Sequence, residues 1–263
     1  MLDFFRRHKA LNIVVVIVYF LLVVLPHEWV GLLTVDVFGG LTRDAYNALI
    51  LGISLVGLGL YAIPVVRNIL TKPNQQTTLF YLILSTVLSV VIFKTLIVIN
   101  IEVVHFVQYG VMALLLYPLT MSYFQTLCFA TILGALDEAY QYFYLAPQRT
   151  DYYDFNDVVI NLIGASFGLI FIRSFQQEKI TSLKISPFLV LCFLCIFGLI
   201  AAYAVGIVPI YPMGEIPESL WLLVKKVPEG FWSVVHPNVK YHVVLPLEGT
   251  LLTGILLLIY SRL

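Results

Sequence analysis

The chain has 263 residues, of which 60% are hydrophobic, 14% are aromatic and only 11% are charged. The apolar share is far above that of a soluble domain. The formal net charge is zero, so no overall basic surface indicates nucleic acid as a partner. The composition therefore excludes an ordinary soluble domain and predicts a single integral membrane domain over residues 1–263, with the lipid bilayer as its partner.

Eight apolar runs follow one another along the chain, separated by turn signals such as Pro73 and Pro118. A spanning helix needs about 20 apolar residues, and the pattern predicts an all-α polytopic transmembrane helix bundle of about eight spans. No small-x-small cleavage site follows the first run, so we predict a retained helix there and not a signal peptide. The runs are 10–26, 47–66, 78–98, 103–118, 122–138, 157–173, 186–210 and 246–261.

The charged residues between these runs are distributed unevenly. Nine of the fifteen Lys and Arg residues fall on the side of the N-terminus, whereas thirteen of the fifteen Asp and Glu residues fall on the other side. Because cytoplasmic segments are enriched in Lys and Arg, we predict that both termini are cytoplasmic. The acid-rich segments are then extracytoplasmic.

A long outer segment, residues 211–245, mixes charged residues with Trp221, Phe231 and Trp232. This extracytoplasmic amphipathic segment is typical of a helix that lies at the headgroup level and is rimmed by Trp. A second, compatible interpretation is a cover over a lipid-facing site.

Six of the thirty charged residues fall between Asp137 and Asp157. A charge at mid-bilayer costs about 2.5–3.5 kcal/mol on insertion scales, so this concentration indicates pairing, catalysis or ligand binding. Spacings of three or four residues place further polar side chains on shared helix faces near the same membrane surface. The set comprises Glu102, His105 and Tyr109; Glu138 and Gln141; Arg149; and Asp157 and Asn161.

Residue chemistry suggests a role for each member of this set. We predict His105 and Glu138 as acid and base, with Asp157 completing the candidate catalytic group. Arg149 suits an anionic phosphate or carboxylate. We assign the remaining members to substrate binding: Gln141, Asn161, Tyr109 and Glu102.

Simpler interpretations of these residues stay open. Asp157 alone also fits the acid of a helix first turn, and Gly164 with Gly168 fits close helix packing. No cofactor is identified and no metal site is assigned, because no HExxH or comparable run fixes a ligand set. A metal alternative nevertheless remains, with zinc, manganese or iron held by Glu102, His105, Glu138 and Asp157.

Three strings in this order resemble the VanZ-like membrane protein family: HFVQYGVMALLL, DEAYQYFYLAPQR and DVVINLIGASFG. The resemblance covers about residues 75–173, and the first two and last two runs lie outside it. It implies a VanZ-like core whose conserved pattern falls on His105, Tyr109, Glu138, Gln141, Arg149, Asp157, Asn161 and Gly164.

The resemblance implies a protein of the bacterial cytoplasmic (inner) membrane and a link to resistance to the glycopeptide teicoplanin. It supplies no reaction, so whether the chain is an enzyme stays open. We predict an extracytoplasmic polar pocket that acts on a lipid-linked or cell-envelope substrate. The alternatives are a non-enzymatic binder or shield of an envelope lipid, a transporter, and a purely structural polar network.

Overall fold

Helices make up most of the described chain, which in this computed structural model comprises residues 2–97, 100–145, 153–176, 186–205, 224–226, 241–244 and 246–263. Ten α-helices are described: α1 (Leu2–Arg7), α2 (Lys9–Val24), α3 (His27–Phe38), α4 (Arg43–Thr71), α5 (Gln76–Thr95), α6 (Val104–Thr120), α7 (Tyr123–Tyr140), α8 (Phe155–Phe175), α9 (Pro187–Ala204) and α10 (Pro246–Tyr260). A 3-10 turn, Asn100–Val103, precedes α6, and a π-helical turn, Gln141–Leu145, follows α7.

The helical fold class is confirmed, and each of the eight predicted runs coincides with one helix, from α2 to α10 without α3. Four segments are long and apolar enough to cross a membrane: Asp44–Thr71, Gln76–Thr95, Ile101–Thr120 and Phe155–Phe175. Helices α2 and α10 are apolar but shorter. Length and composition thus indicate a membrane protein.

Large apolar side chains cover the outside of the bundle. On α4, Leu60 is 73% exposed and Leu70 is 79% exposed, and α5 and α9 present similar residues. Exposed apolar faces of this extent are typical of helices that contact lipid.

Helix α8 lies at the centre and packs against α4, α5, α6, α7 and α10. It contacts α6 closely because both helices have glycine at the crossing. A Cβ added at Gly164 would lie 2.8 Å from Phe106 Cα, and one added at Gly168 would overlap the Gly110 carbonyl group. The Gly164–Gly168 pair therefore serves helix packing, as its spacing suggested.

Local capping explains where the central helices begin. The Ser122 hydroxyl accepts from the Gln125 amide at 3.4 Å at the start of α7, and Asp154 Oδ1 accepts from the Asn156 amide at 2.9 Å at the start of α8. Such side chains satisfy amides that have no partner within the helix. Between α6 and α7, Met121 adopts the left-handed conformation (φ 51°) that ends α6 just after Pro118.

Cationic side chains bind backbone carbonyls at the C-terminal end of α8. Lys72 Nζ donates to the carbonyls of Ser174 (3.2 Å) and Phe175 (3.0 Å), and Arg173 donates to the carbonyl of Leu263. Positive charge at a helix C-terminus is favourable because the last carbonyls and the helix dipole both attract it.

Two short strands correct the expectation of a helix within residues 211–245. Strand β1 (Val224–Lys226) pairs antiparallel with β2 (Tyr241–Val243), with Lys225 opposite His242. The sequence Tyr-His-Val-Val is rich in β-branched and aromatic residues, which favour an extended chain. The rest of the 211–245 segment, apart from Val244, lies outside the described residues.

Candidate functional site

Three helix ends meet at one end of the bundle. Helices α6, α7 and α8 follow one another with alternating direction, so the start of α6, the end of α7 and the start of α8 lie together. His105, Glu138 and Asp157 occupy these three ends, and one ligand-type atom from each lies within 4.8 Å of the other two. Among the described residues, this is the one such group of three His, Cys, Asp or Glu side chains.

The group is largely shielded from solvent. Nε2 of His105 lies 3.6 Å from Asp157 Oδ2, and these two side chains are 7% and 13% exposed. Glu138 is 2% exposed. Asp157 is thus the most solvent-accessible of the three side chains.

Asn161 orients the imidazole of His105. It lies one turn after Asp157 on α8, and its Oδ1 is 2.9 Å from His105 Nδ1. An amide oxygen only accepts, so with the amide in this orientation Nδ1 has the proton and Nε2 has the lone pair. The basic nitrogen therefore faces Asp157 and Glu138.

Gln141 and Tyr109 hold the carboxylates in place. Gln141 Nε2 donates to Glu138 Oε1 (3.2 Å) and to Asp137 Oδ1 (3.3 Å), and the Tyr109 hydroxyl donates to Asp137 Oδ2 (3.1 Å). Asp137 is 1% exposed and belongs to the same network. Sequence reasoning did not include Asp137 among the site residues, although its spacing of four from Gln141 was a usable signal.

Three carboxyl groups, those of Asp137, Glu138 and Asp157, are concentrated at this place. Two unit charges about 4 Å apart interact by about 4 kcal/mol at an effective dielectric constant of about 20. Within the described ranges, Glu138 and Asp157 form no salt bridge with Lys or Arg, and His105 is the partner of Asp157. A proton, a cation or a basic group therefore has to balance these buried carboxylates. Arg149, predicted to bind an anionic group, lies outside the described residues, as does Asp151.

Tyr153 lies just before α8 and contacts α7 near the site. Its hydroxyl donates to the Ala135 carbonyl at 2.6 Å. Burial, and next the nearby charges of Glu138 and Asp137, raise the pKa of Tyr153 well above its usual range. Tyr153 is therefore a neutral hydroxyl at physiological pH.

Asn156 joins strand β2 to the start of α8. Its Nδ2 donates to the carbonyls of Leu96 (3.0 Å) and His242 (2.8 Å), and its Oδ1 accepts from the Val244 amide (2.8 Å). His242 itself pairs with Glu248 at 2.8 Å. Strand β2 is thereby fixed next to Asp157, while His242 and Glu248 form a second, separate pair.

Glu102, which was predicted to bind substrate, and Asp154 have other positions. Glu102 lies in the 3-10 turn before α6 and is not one of the three residues whose ligand atoms converge. Asp154 is the N-cap of α8. The structure thus brings together His105, Glu138 and Asp157, with Tyr109, Gln141 and Asn161 directly bonded to the network.

Comparisons of the chain with protein-family models, curated proteins and solved structures find no match. The VanZ-like resemblance therefore stays a prediction from the residues. The geometry itself supports two kinds of chemistry: proton transfer by an oriented imidazole and a buried carboxyl group, or the holding of a cation by nitrogen and oxygen ligands.

Proposed function

We propose that this is a VanZ-like integral protein of the bacterial cytoplasmic membrane, and that its His105–Glu138–Asp157 site acts on a lipid-linked or cell-envelope substrate. The observation that supports this best is the convergence of three ionisable side chains from three helices within 4.8 Å. Burying such groups is costly, and ionisable groups with unusual surroundings concentrate at functional sites.

The proposal includes eight spans, one for each apolar helix except α1 and α3, with both termini cytoplasmic. The acidic site and the cationic end of α8 lie at opposite ends of that helix, since Asp157 is in its first turn and Arg173 in its last. By the positive-inside rule, the end with Lys72 and Arg173 is cytoplasmic. The site then faces the extracytoplasmic side, where lipid-linked envelope precursors are used.

In this proposal the imidazole of His105 and the carboxyl group of Glu138 exchange protons with the substrate or with water. Asn161 gives His105 the orientation that a general base requires. Arg149, eight residues before Asp157 in the chain, binds the phosphate or carboxylate of the substrate. The link to teicoplanin resistance rests on the resemblance alone.

Conservative substitutions test the proposal. Expression of the wild type in a teicoplanin-susceptible bacterium should raise the inhibitory concentration of teicoplanin and change the mass of a lipid-linked precursor extracted from the membrane. Glu138→Gln preserves size and polarity, and His105→Asn keeps a polar side chain. Loss of these acid–base groups should slow precursor conversion at least about 100-fold. His242→Asn is the matched control, because it alters a histidine paired to a carboxylate outside the site.

The binder and the structural network each give a different result. If Arg149→Lys alone weakens retention of the precursor and Glu138→Gln has no effect, the chain is a binder of an envelope lipid. If the site variants only lower the melting temperature, the network is structural. A wild type without either effect, or site variants with full effect, would overturn the proposal.

A further inference from the structure

We infer that His105, Glu138 and Asp157 form a binding site for one divalent transition-metal ion. The inference rests on the site of the proposed function and changes two assignments, because His105 and Glu138 become metal ligands in place of proton-transfer groups. Its test measures metal binding directly, so it stands or falls separately from the reaction.

The spacing of the ligand atoms fits a metal. With bonds of about 2.1 Å, two ligands of a tetrahedral zinc ion lie about 3.4 Å apart. Nε2 of His105 and Oδ2 of Asp157 are 3.6 Å apart. The third ligand atom, from Glu138, lies within 4.8 Å of both, so a bound metal would draw the Glu138 carboxylate closer to the other two ligands.

The orientation of the imidazole is the second, independent observation. With Asn161 Oδ1 as the acceptor, Nδ1 is the donor at 2.9 Å, and the lone pair on Nε2 of the neutral ring then faces the Asp157 carboxylate at 3.6 Å. Two acceptors facing each other at this distance repel unless a positive species lies between them. Metal-binding histidines are typically held in this way, by a hydrogen bond from the other ring nitrogen.

The charge of the site favours a divalent ion over a single proton. A proton on His105 supplies one positive charge, whereas Glu138 and Asp157 together have two negative charges when ionised. A divalent ion balances the two carboxylates that would bind it and leaves the imidazole neutral, the form in which it ligates metals. The third carboxyl group of the network, Asp137, has its own donors in Tyr109 and Gln141. Gln141 also donates to Glu138 Oε1 at 3.2 Å, which holds one of the two carboxylate oxygens in place.

The donor set indicates which metals fit. Imidazole suits zinc and iron, and carboxylate oxygen suits manganese and magnesium. One imidazole with two carboxylates is therefore suited to Zn²⁺ or Mn²⁺. With three protein ligands, at least one coordination position stays open for water or for a phosphate oxygen of the substrate.

The test is titration of the detergent-purified, chelator-treated full chain with Zn²⁺ or Mn²⁺, followed by calorimetry and by the melting temperature. We expect one equivalent to bind to the wild type and to raise its melting temperature, because a ligand that binds only the folded state stabilises it. His105→Asn, Glu138→Gln and Asp157→Asn should each weaken binding at least about 10-fold. His242→Asn, in the second histidine–carboxylate pair, should bind like the wild type.

Three results would overturn the inference: no binding by the wild type, equal binding by the wild type and the three site variants, or loss of binding in His242→Asn alone. If a site variant fails to fold, Asn161→Ala provides a further comparison, since it leaves all three ligands and should weaken binding by about 10–100-fold. Metal binding without any envelope effect would refute the proposed function and leave the metal site. An envelope effect without metal binding would refute the metal site and support the proposed function.

Discussion

At the level of single residues, Asn161 decides how His105 acts. Its Oδ1 lies 2.9 Å from His105 Nδ1 and holds the direction of the imidazole. We predict that Asn161→Ala lowers the activity of the site about 10–100-fold, because the ring loses its partner while the reacting groups remain. The measurement is conversion of the lipid-linked precursor in membranes, together with the melting temperature.

Asn12→Ala is the matched control for this prediction. Asn12 is also fully buried and donates between helices, from Nδ2 to the Leu115 carbonyl at 3.1 Å. Each substitution removes a buried hydrogen bond and should cost about 1–3 kcal/mol of stability. Only Asn161→Ala should reduce activity beyond the loss of folded protein. Equal activity losses in the two variants would show that Asn161 is purely structural.

The site residues were predictable to the extent that helix periodicity links them. Spacings of three and four pointed to His105 with Glu102 and to Glu138 with Gln141, and the structure confirms the Glu138–Gln141 contact. Asp137 was not included among the site residues, although it lies four residues before Gln141. Gln141 in fact bonds to both carboxylates. The sequence contains no local information on which distant helix supplies the donor to Asp137, namely Tyr109.

At the level of helices, the contact between α6 and α8 positions the site. Gly164 lies against His105, because a Cβ there would be 2.9 Å from the His105 carbonyl oxygen. We predict that Gly164→Ala and Gly168→Ala each destabilise the protein by about 1–3 kcal/mol, as expected for overpacking against backbone. Gly164→Ala should also reduce activity, since it displaces the turn that holds His105. Thermal unfolding and precursor conversion measure the two effects.

Gly198→Ala in α9 serves as the control, because a Cβ at Gly198 meets nothing within 4 Å. There the substitution should be neutral or stabilising by up to about 1 kcal/mol, as alanine restricts the unfolded chain. If Gly164→Ala and Gly198→Ala behave alike, the close contact of α6 and α8 is not what holds the site.

The positions of the long helices could be predicted from apolar runs, whereas the short helix α3 and the two strands could not. Helix α3, with 12 residues, is too short to span a bilayer, and a search for long apolar runs passes over it. Strands β1 and β2 have 3 residues each. Their pairing joins segments separated by 14 residues, which a helix-period analysis does not detect.

At the level of the whole molecule, the proposed topology places the site end of the bundle outside the cytoplasm. Tyr144, 77% exposed, follows α7 at the site end. Gln76, also exposed, starts α5 at the opposite end, about 30 Å away along a helix of 20 residues. In a variant with Cys128, Cys192 and Cys195 replaced by serine, we predict that an impermeant maleimide labels Tyr144→Cys in intact cells. Gln76→Cys should react only after permeabilisation.

The opposite labelling pattern would invert the topology and place the site in the cytoplasm. Labelling of both positions in intact cells would show that these ends do not lie on opposite sides of the membrane. Either outcome would remove the argument for an extracytoplasmic substrate.

The most direct test of the whole account is a double-mutant cycle on precursor conversion with His105→Asn and Glu138→Gln. Groups that act as one unit give strongly non-additive losses, so the double variant should be no slower than the slower single variant. If the two losses multiply, or if either single variant keeps the wild-type rate, then His105 and Glu138 do not work together, and the shared site is contradicted.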